Sequence, residues 1–186
     1  MTEAFQPALL IIDVQNDYFA GGKMELCAPL AALASIERIR ERFREKACPV
    51  IHVQHISAGA GAKFFLPNTE GARIHPNLTP AGDEYLVVKH LPNSFTDTRL
   101  ADLIDALRIE RLVICGMMSH MCVDSTTRAC LDRKIKTTVL ADACATRDLV
   151  YRNETIPAKT VHACSMAALN GRFARVVDTA EFADGF

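Results

Sequence analysis

Apolar runs of strand length alternate along the chain with stretches in which apolar residues recur at helical spacing. This alternation is typical of a parallel sheet whose two faces are covered by helices. Six segments have the composition of buried strands: Ala8–Asp13, Pro49–Gln54, Glu84–Lys89, Arg111–Cys115, Thr137–Ala141 and Arg175–Val177. We therefore predict a three-layer α/β/α domain with a six-stranded, mainly parallel sheet.

The helical periodicity predicts four helices: Pro29–Glu45, Arg99–Leu107, Cys122–Asp132 and Thr155–Asn170. Gly171 follows the last of them, where a glycine often ends a helix. With 186 residues, of which 49% are hydrophobic, the chain can build one well-buried core but not two. A single domain over residues 1–186 is expected.

The longest irregular stretch runs from Ser57 to Asp83 and contains Phe64 and Phe65. Loops of this length in compact domains usually have a function. Two interpretations stay open: a wall or lid over a pocket, and a surface excursion packed by its own aromatic side chains.

The charges nearly cancel, with 21 Lys and Arg against 22 Asp and Glu, and no dense basic run is present. This balance disfavours nucleic acid and anionic membranes as partners, and a small-molecule substrate is expected instead. The chain has seven cysteines, an odd number, and it begins without a signal-like segment or an apolar stretch of membrane-spanning length. These features predict a protein of the reducing cytoplasm.

No cofactor is expected, because neither a Gly-x-Gly-x-x-Gly motif after the first strand nor a Cys-x-x-Cys motif is present. No bound metal is expected either. His52 and His55 fall on opposite faces of a strand, where they cannot share one ion.

Cys122 follows an apolar strand and Gly116 and stands at the start of a predicted helix. The free N–H groups of a first helical turn favour a thiolate, so this cysteine is a candidate nucleophile. The alternative is a buried structural cysteine, which is the commoner role of this residue type.

Asp13 and Lys89 also end predicted strands, and the three side chains would collect at one sheet edge if those strands are parallel neighbours. A carboxylate near a thiol can accept its proton, and an ammonium near both favours their anionic forms. Taken singly, however, Asp13 could be a turn residue and Lys89 could point to water.

Five segments resemble the isochorismatase-like cysteine hydrolases, a family that includes nicotinamidases and N-carbamoyl amide hydrolases. They are Ile12–Phe19 (IDVQNDYF), His52–His55 (HVQH), Val88–Phe95 (VKHLPNSF), Gly116–Val123 (GMMSHMCV) and Asp142–Cys144 (DAC). The resemblance implies an isochorismatase-like, Rossmann-like fold. It also implies assembly as a homodimer or homotetramer.

The resemblance further implies that Asp13 is the general base, Lys89 the cation that holds both anions, and Cys122 the nucleophile. The family keeps a non-proline cis peptide that would be Met117–Met118 here, so the backbone N–H groups of Met118 and Cys122 would form an oxyanion hole. The implied reaction is hydrolysis of a small amide or ureido group through a thioester-type acyl-enzyme.

Two departures from relatives narrow this expectation. Nicotinamidases bind a metal through an Asp-x-His pair, but this chain has Val53 where that aspartate would stand, so metal-dependent nicotinamidase activity is not expected. Isochorismatases proper typically lack the cysteine, so Cys122 favours C–N hydrolysis over vinyl ether hydrolysis. The alternatives are a vinyl ether hydrolase and a non-catalytic scaffold or binding protein of the same fold.

Five residues are candidates for the substrate pocket: Phe19, His55, Phe64, Phe65 and His120. For each aromatic residue, core or surface packing is the alternative, and a histidine on an apolar strand is often structural. His120, two residues before Cys122, is also an alternative catalytic base.

Overall fold

The computed structural model describes residues 7–186 and contains eight strands and five α-helices in that range. The strands are β1 Ala8–Ile12, β2 Val50–His55, β3 Tyr85–Lys89, β4 Arg111–Met117, β5 Lys136–Ala145, β6 Leu149–Tyr151, β7 Glu154–Ile156 and β8 Arg175–Val177. Six of them form one parallel sheet in the order β3-β2-β1-β4-β5-β8, and β6 and β7 form a separate hairpin. The predicted fold class is confirmed.

The helices cover both faces of the sheet. Their bounds are α1 Pro29–Glu45, α2 Leu100–Ala106, α3 Asp124–Asp132, α4 Ala158–Leu169 and α5 Thr179–Asp184. Side chains alternate along β1, so Leu9 and Ile11 pack with α1 and α5, whereas Leu10 and Ile12 pack with α2, α3 and α4. The two cores are therefore the two faces of one sheet.

Several predicted boundaries are wrong. The segment predicted as a helix from Thr155 begins with β7, and α4 begins only at Ala158, because Pro157 favours extended backbone in the residue before it. The segment predicted as a helix from Cys122 begins with a π-helical turn, Ser119–Val123, and α3 follows from Asp124. The sequence pattern gave no signal for α5.

The carboxyl ends of β1, β2, β3 and β4 meet at one edge of the sheet. Strand β1 lies between β2 and β4. Asp13, which follows β1, is therefore close to the end of β4, the strand that leads to Cys122. Strand β3 is not a neighbour of β1, because β2 separates them, and His55 of β2 is paired in register with Lys89 of β3. The strand ends thus bring together the side chains of Asp13, Lys89 and Cys122, as expected, and also that of His55.

The stretch from Ser57 to Asp83 is attached to the body of the domain as a wall. Polar side chains of the segment after β1 and of α1 bind the main chain of this stretch. The bonds are Gln15 Nε2 to Ala72 O (2.7 Å), Asn16 Nδ2 to Glu70 O (3.0 Å), Phe65 N to Asp17 Oδ2 (2.6 Å), and Arg40 to the carbonyls of Asn77 (3.0 Å) and Thr79 (2.7 Å). Across residues 7–186, no helix is both long and apolar enough to cross a membrane.

Candidate active site

Asp13 and Lys89 are fully buried at the carboxyl edge of the sheet. Asp13 follows β1 with a φ of 52°, a left-handed conformation that aspartate tolerates better than most residues, and its N–H donates to Val53 O at 3.0 Å. This turn directs the chain away from the sheet directly after the carboxylate. Lys89 is the last residue of β3.

The Lys89 ammonium lies at the centre of the site. Its Nζ is 2.7 Å from Asp13 Oδ2, 3.3 Å from Cys122 Sγ and 3.0 Å from His55 Nδ1. An ammonium has three N–H groups, and three acceptors surround this one. Its donors are therefore all used within the protein.

Cys122 lies in the π-helical turn that leads from β4 into α3, and only 5% of its surface is exposed. The Met117–Met118 peptide bond just before this turn is cis. Gly116 has a φ of +123°, and a side chain there would overlap the backbone of Ile12. Glycine thus allows β4 to approach β1 closely, which brings the turn with Cys122 next to Asp13.

The expectation of a thiolate at a helix N-terminus is wrong. Burial and the nearby charge of Asp13 raise the pKa of the Cys122 thiol, and Lys89 opposes them only in part. Burial also raises the pKa of Asp13, against the effect of Lys89. One ammonium can balance only one of the two anions, and the carboxyl group is the much stronger acid, so the proton stays on sulfur.

Lys89 keeps its positive charge. Burial alone would lower its pKa, but the negative charge of Asp13 and the hydrogen bond to its carboxylate raise it above the usual value. The resting site therefore holds a carboxylate, an ammonium and a neutral thiol. The thiol contacts a base that can accept its proton.

His55 completes the ring of acceptors around Lys89. Burial and the charge of Lys89 lower the pKa of His55 to about 4, so the imidazole is neutral at pH 7. Because Nδ1 accepts from the ammonium, the ring proton is on Nε2. The sequence placed His55 only among pocket candidates. The available signal was its position, which ends β2 as Lys89 ends β3.

A cavity of about 150 Å³ opens onto Cys122. It is lined by Tyr18, His55, Phe64, Phe65, Pro92, Met118, Met121 and Cys122. The Tyr18 and Phe65 rings meet edge to face at 4.6 Å, which fixes one wall. His55, Phe64 and Phe65 of the predicted pocket residues thus lie at the cavity, together with Tyr18, which the sequence analysis missed.

Two other pocket candidates lie elsewhere. Phe19 is buried against His75 with ring centroids 4.4 Å apart, because the 3₁₀ turn Asn16–Tyr18 directs Tyr18, and not its neighbour, towards the cavity. His120 Nδ1 is hydrogen bonded to Thr146 Oγ1 at 2.6 Å and does not line the cavity. This bond holds the imidazole at a hydroxyl group, so the geometry favours Asp13 as the base for Cys122.

Asp13, His55 and Cys122 also form a set of candidate metal ligands, since their ligand atoms lie within 4.8 Å of one another. However, the Lys89 ammonium contacts all three of these atoms. A divalent cation would have to displace a buried positive charge from this position. The residues therefore fit an ammonium better than a metal ion.

Comparison with known proteins places the chain among hydrolases of one family. The model of the isochorismatase domain matches residues 7–181. An uncharacterized isochorismatase family protein of Bacillus subtilis, YddQ, is 46% identical over 94% of this chain and 97% of its own length. A crystal structure of a protein from Oleispira antarctica, described as an isochorismatase hydrolase, has a TM-score of 0.95 and 42% identity over the whole of both chains. Streptothricin hydrolase of Streptomyces noursei is 33% identical over 81% of this chain and 55% of that protein.

Proposed function

Because the chain belongs to the isochorismatase family of hydrolases, we propose that it hydrolyses the C–N bond of a small amide or ureido compound, with Cys122 as the nucleophile. The observation that carries this proposal is the contact of one buried thiol with a carboxylate and an ammonium at the end of a cavity. This arrangement suits nucleophilic catalysis, in which a base takes the proton of the attacking group.

In the first step, the proton of Cys122 passes from Sγ to the Asp13 carboxylate, and Sγ bonds to the substrate carbonyl carbon. Lys89 stays positively charged and balances the negative charge as it moves from carboxylate to sulfur and then to the carbonyl oxygen. The backbone N–H groups of Met118 and Cys122 are the proposed donors to this oxygen.

In the second step, the tetrahedral intermediate collapses, and Asp13 returns its proton to the departing nitrogen. Ammonia or an amine leaves, and the acyl group stays on Sγ as a thioester. Asp13 then takes a proton from water, the hydroxide adds to the thioester carbonyl, and the thiol leaves with that proton. The sum is one amide and one water converted into one acid and one amine.

The relatives support hydrolysis, and one of those reported above is named for it, streptothricin hydrolase. The vinyl ether alternative differs in mechanism, because protonation of a vinyl ether needs no acyl group on sulfur. Detection of a covalent acyl-enzyme would thus distinguish amide hydrolysis from vinyl ether hydrolysis.

The test is a panel of small amides and ureas, followed by release of ammonia and by intact protein mass. We expect turnover of at least one compound and an added acyl mass on the peptide that contains Cys122. Cys122→Ser lowers kcat by a factor of about a thousand or more while the protein stays folded. Cys164→Ser, at an exposed cysteine outside the site, is the matched control and keeps full turnover. Turnover that survives in Cys122→Ser contradicts the proposal.

A further inference from the structure

The cavity beside Cys122 is small and has almost no polar lining. Its volume is about 150 Å³. Among the residues that line it, none carries a charge at pH 7, since His55 is neutral and burial holds the Tyr18 hydroxyl protonated by raising its pKa. A molecule that enters leaves most of its hydration behind.

Lys89, the cation of the catalytic cluster, does not line this cavity. Lys89 is fully buried and is absent from the lining, whereas His55 lies in the lining and accepts one of the three N–H groups of Lys89. The same Nζ lies 2.7 Å from Asp13 Oδ2 and 3.3 Å from Cys122 Sγ. An anion in the cavity would thus lose water without gaining a charged donor, which is unfavourable.

We propose that His55 is a specificity-determining residue: by occupying the third donor of Lys89, it restricts the cavity to small uncharged molecules. For the ring to serve in this way it must be an acceptor at Nδ1, and it then presents Nε2–H as a donor. Among the described residues, Nε2 has no hydrogen-bond partner, and it is not a fully buried atom. The substrate class is then a small, neutral, largely apolar amide with a hydrogen-bond acceptor for this N–H.

The inference rests on the proposed function for the reacting bond, but its test needs no turnover. Iodoacetamide and iodoacetate are equally small and both alkylate sulfur, yet only the second is an anion. The rate of Cys122 alkylation by each reagent is followed by peptide mass mapping at fixed pH, and the rate ratio is divided by the ratio for free cysteine.

Two variants of His55 separate the effect of the hydrogen-bond acceptor from the effect of removing the ring. Asparagine can place its Oδ1 where the imidazole has Nδ1, so His55→Asn keeps an acceptor for Lys89, whereas His55→Leu removes it. In the wild type we expect iodoacetamide to be preferred more strongly than by free cysteine. His55→Leu frees an N–H of Lys89 and lowers this preference about tenfold. His55→Asn keeps it within about twofold.

Each contrary result overturns the inference. A wild-type preference for iodoacetate would show that Lys89 is available to anions, and equal shifts in both variants would show that only the volume of the ring matters. Absence of any Cys122 labelling would show that the cavity does not admit such molecules. A third variant, Arg147→Gln, removes a positive charge that acts on the Tyr18 hydroxyl, and Arg147 lines a separate pocket. A changed preference there would assign charge selection to Arg147. If the preference follows His55 but no amide is hydrolysed, the proposed function fails while the selection of uncharged molecules stands.

Discussion

The Gln15 side chain holds the main chain of His55 through both of its polar atoms. Nε2 donates to His55 O at 2.8 Å, and Oε1 accepts from His55 N at 2.7 Å. Nε2 also donates to Ala72 O at 2.7 Å, so the same amide joins the wall of the cavity to the end of β2. Because Gln15 is fully buried, water cannot replace these bonds. The position of the His55 ring, and through it that of Lys89, depends on this residue.

Replacement of Gln15 by leucine should therefore both destabilise the protein and impair the site. The main-chain N–H and C=O of His55 lose their partner and Ala72 O loses one of its two donors, and we expect the free energy of unfolding to fall by about 2 to 4 kcal/mol. The matched control is Gln54→Leu, because Gln54 makes a single bond to Ala72 O at 2.8 Å and is half-buried. Urea denaturation and kcat/KM measure the two effects. Equal losses in both variants would contradict the special role of Gln15.

The neutral resting thiol leads to an unusual expectation for Asp13→Asn. The charge of Asp13 raises the pKa of Cys122 and that of Lys89 lowers it, so removal of the carboxylate leaves Lys89 to stabilise a thiolate. The pH midpoint of Cys122 alkylation should fall by about one to three pH units. Turnover should be lost at the same time, because no base remains to exchange the proton.

The companion variant is Lys89→Met, which should move the midpoint in the opposite direction. Iodoacetamide labelling between pH 6 and 10, read by peptide mass mapping, gives all three profiles. A midpoint that stays the same in Asp13→Asn would mean that the carboxylate does not set the protonation of sulfur.

Glu84 forms a buried ion network at the start of β3. Its Oε2 lies 2.6 Å from Arg40 Nη2 and 3.0 Å from His52 Nε2, and its Oε1 accepts from Arg44 Nε at 2.8 Å. Burial alone would raise the pKa of Glu84, but its hydrogen bonds to Arg40 and Arg44 outweigh it and lower the pKa from 4.5 to about 2. The carboxylate therefore stabilises the fold above pH 4.5, and this stabilisation is lost as the pH falls towards 2.

Acid unfolding of Glu84→Gln tests this network. At pH 6 the variant should be less stable than the wild type by about 3 to 5 kcal/mol, because Arg40 is left buried without its partner. Between pH 4.5 and 2.5 the difference should shrink by about 2 kcal/mol, because the wild type loses the stabilisation that the variant already lacks. The measurement is the free energy of unfolding in urea at several pH values. A difference that is constant with pH would show that Glu84 has an ordinary pKa.

Gly71 is a sensitive point of the cavity wall, because a side chain there would overlap the Asp17 carboxylate. That carboxylate accepts from Phe65 N at 2.6 Å and from Lys23 N at 3.1 Å. Gly71→Ala should therefore displace Phe65, lower stability by about 1 to 3 kcal/mol and raise KM. Gly61 has open space around the same position, and Gly61→Ala should change stability by less than about 0.5 kcal/mol. Thermal unfolding measures the stability of Gly71→Ala and Gly61→Ala, and steady-state kinetics measures their KM.

The hydrophobic pattern predicted the sheet and α1 well, because each is set by local periodicity. Arg175–Val177 and Pro29–Glu45 have the predicted bounds. The end of β5 was missed because it extends past a bulge in its pairing with β4, at Ile114 and Gly116, which depends on contacts between strands. The hairpin of β6 and β7 was missed because neither strand has a buried residue, so neither shows the apolar pattern of a core strand.

For the site, the sequence could indicate which residues end strands but not how those strands are ordered. Asp13, Lys89 and Cys122 were singled out by their positions, and the structure brings them into contact. The insertion of β2 between β1 and β3, and with it the role of His55, follows from strand order. The protonation of Cys122 follows from burial, which the sequence does not give residue by residue.

The parts of the site are far apart in the chain. Asp13 is the first to be synthesised, Lys89 comes much later, and Cys122 follows another 33 residues on, after about two thirds of the 186 residues. Such distant contacts form only when the strands between them have assembled, which is slow compared with local structure. In the unfolded chain during synthesis, Cys122 is therefore an ordinary exposed thiol. Because the native site buries this thiol and raises its pKa, the alkylation rate of Cys122 should fall as the site assembles, and this rate therefore reports the progress of folding.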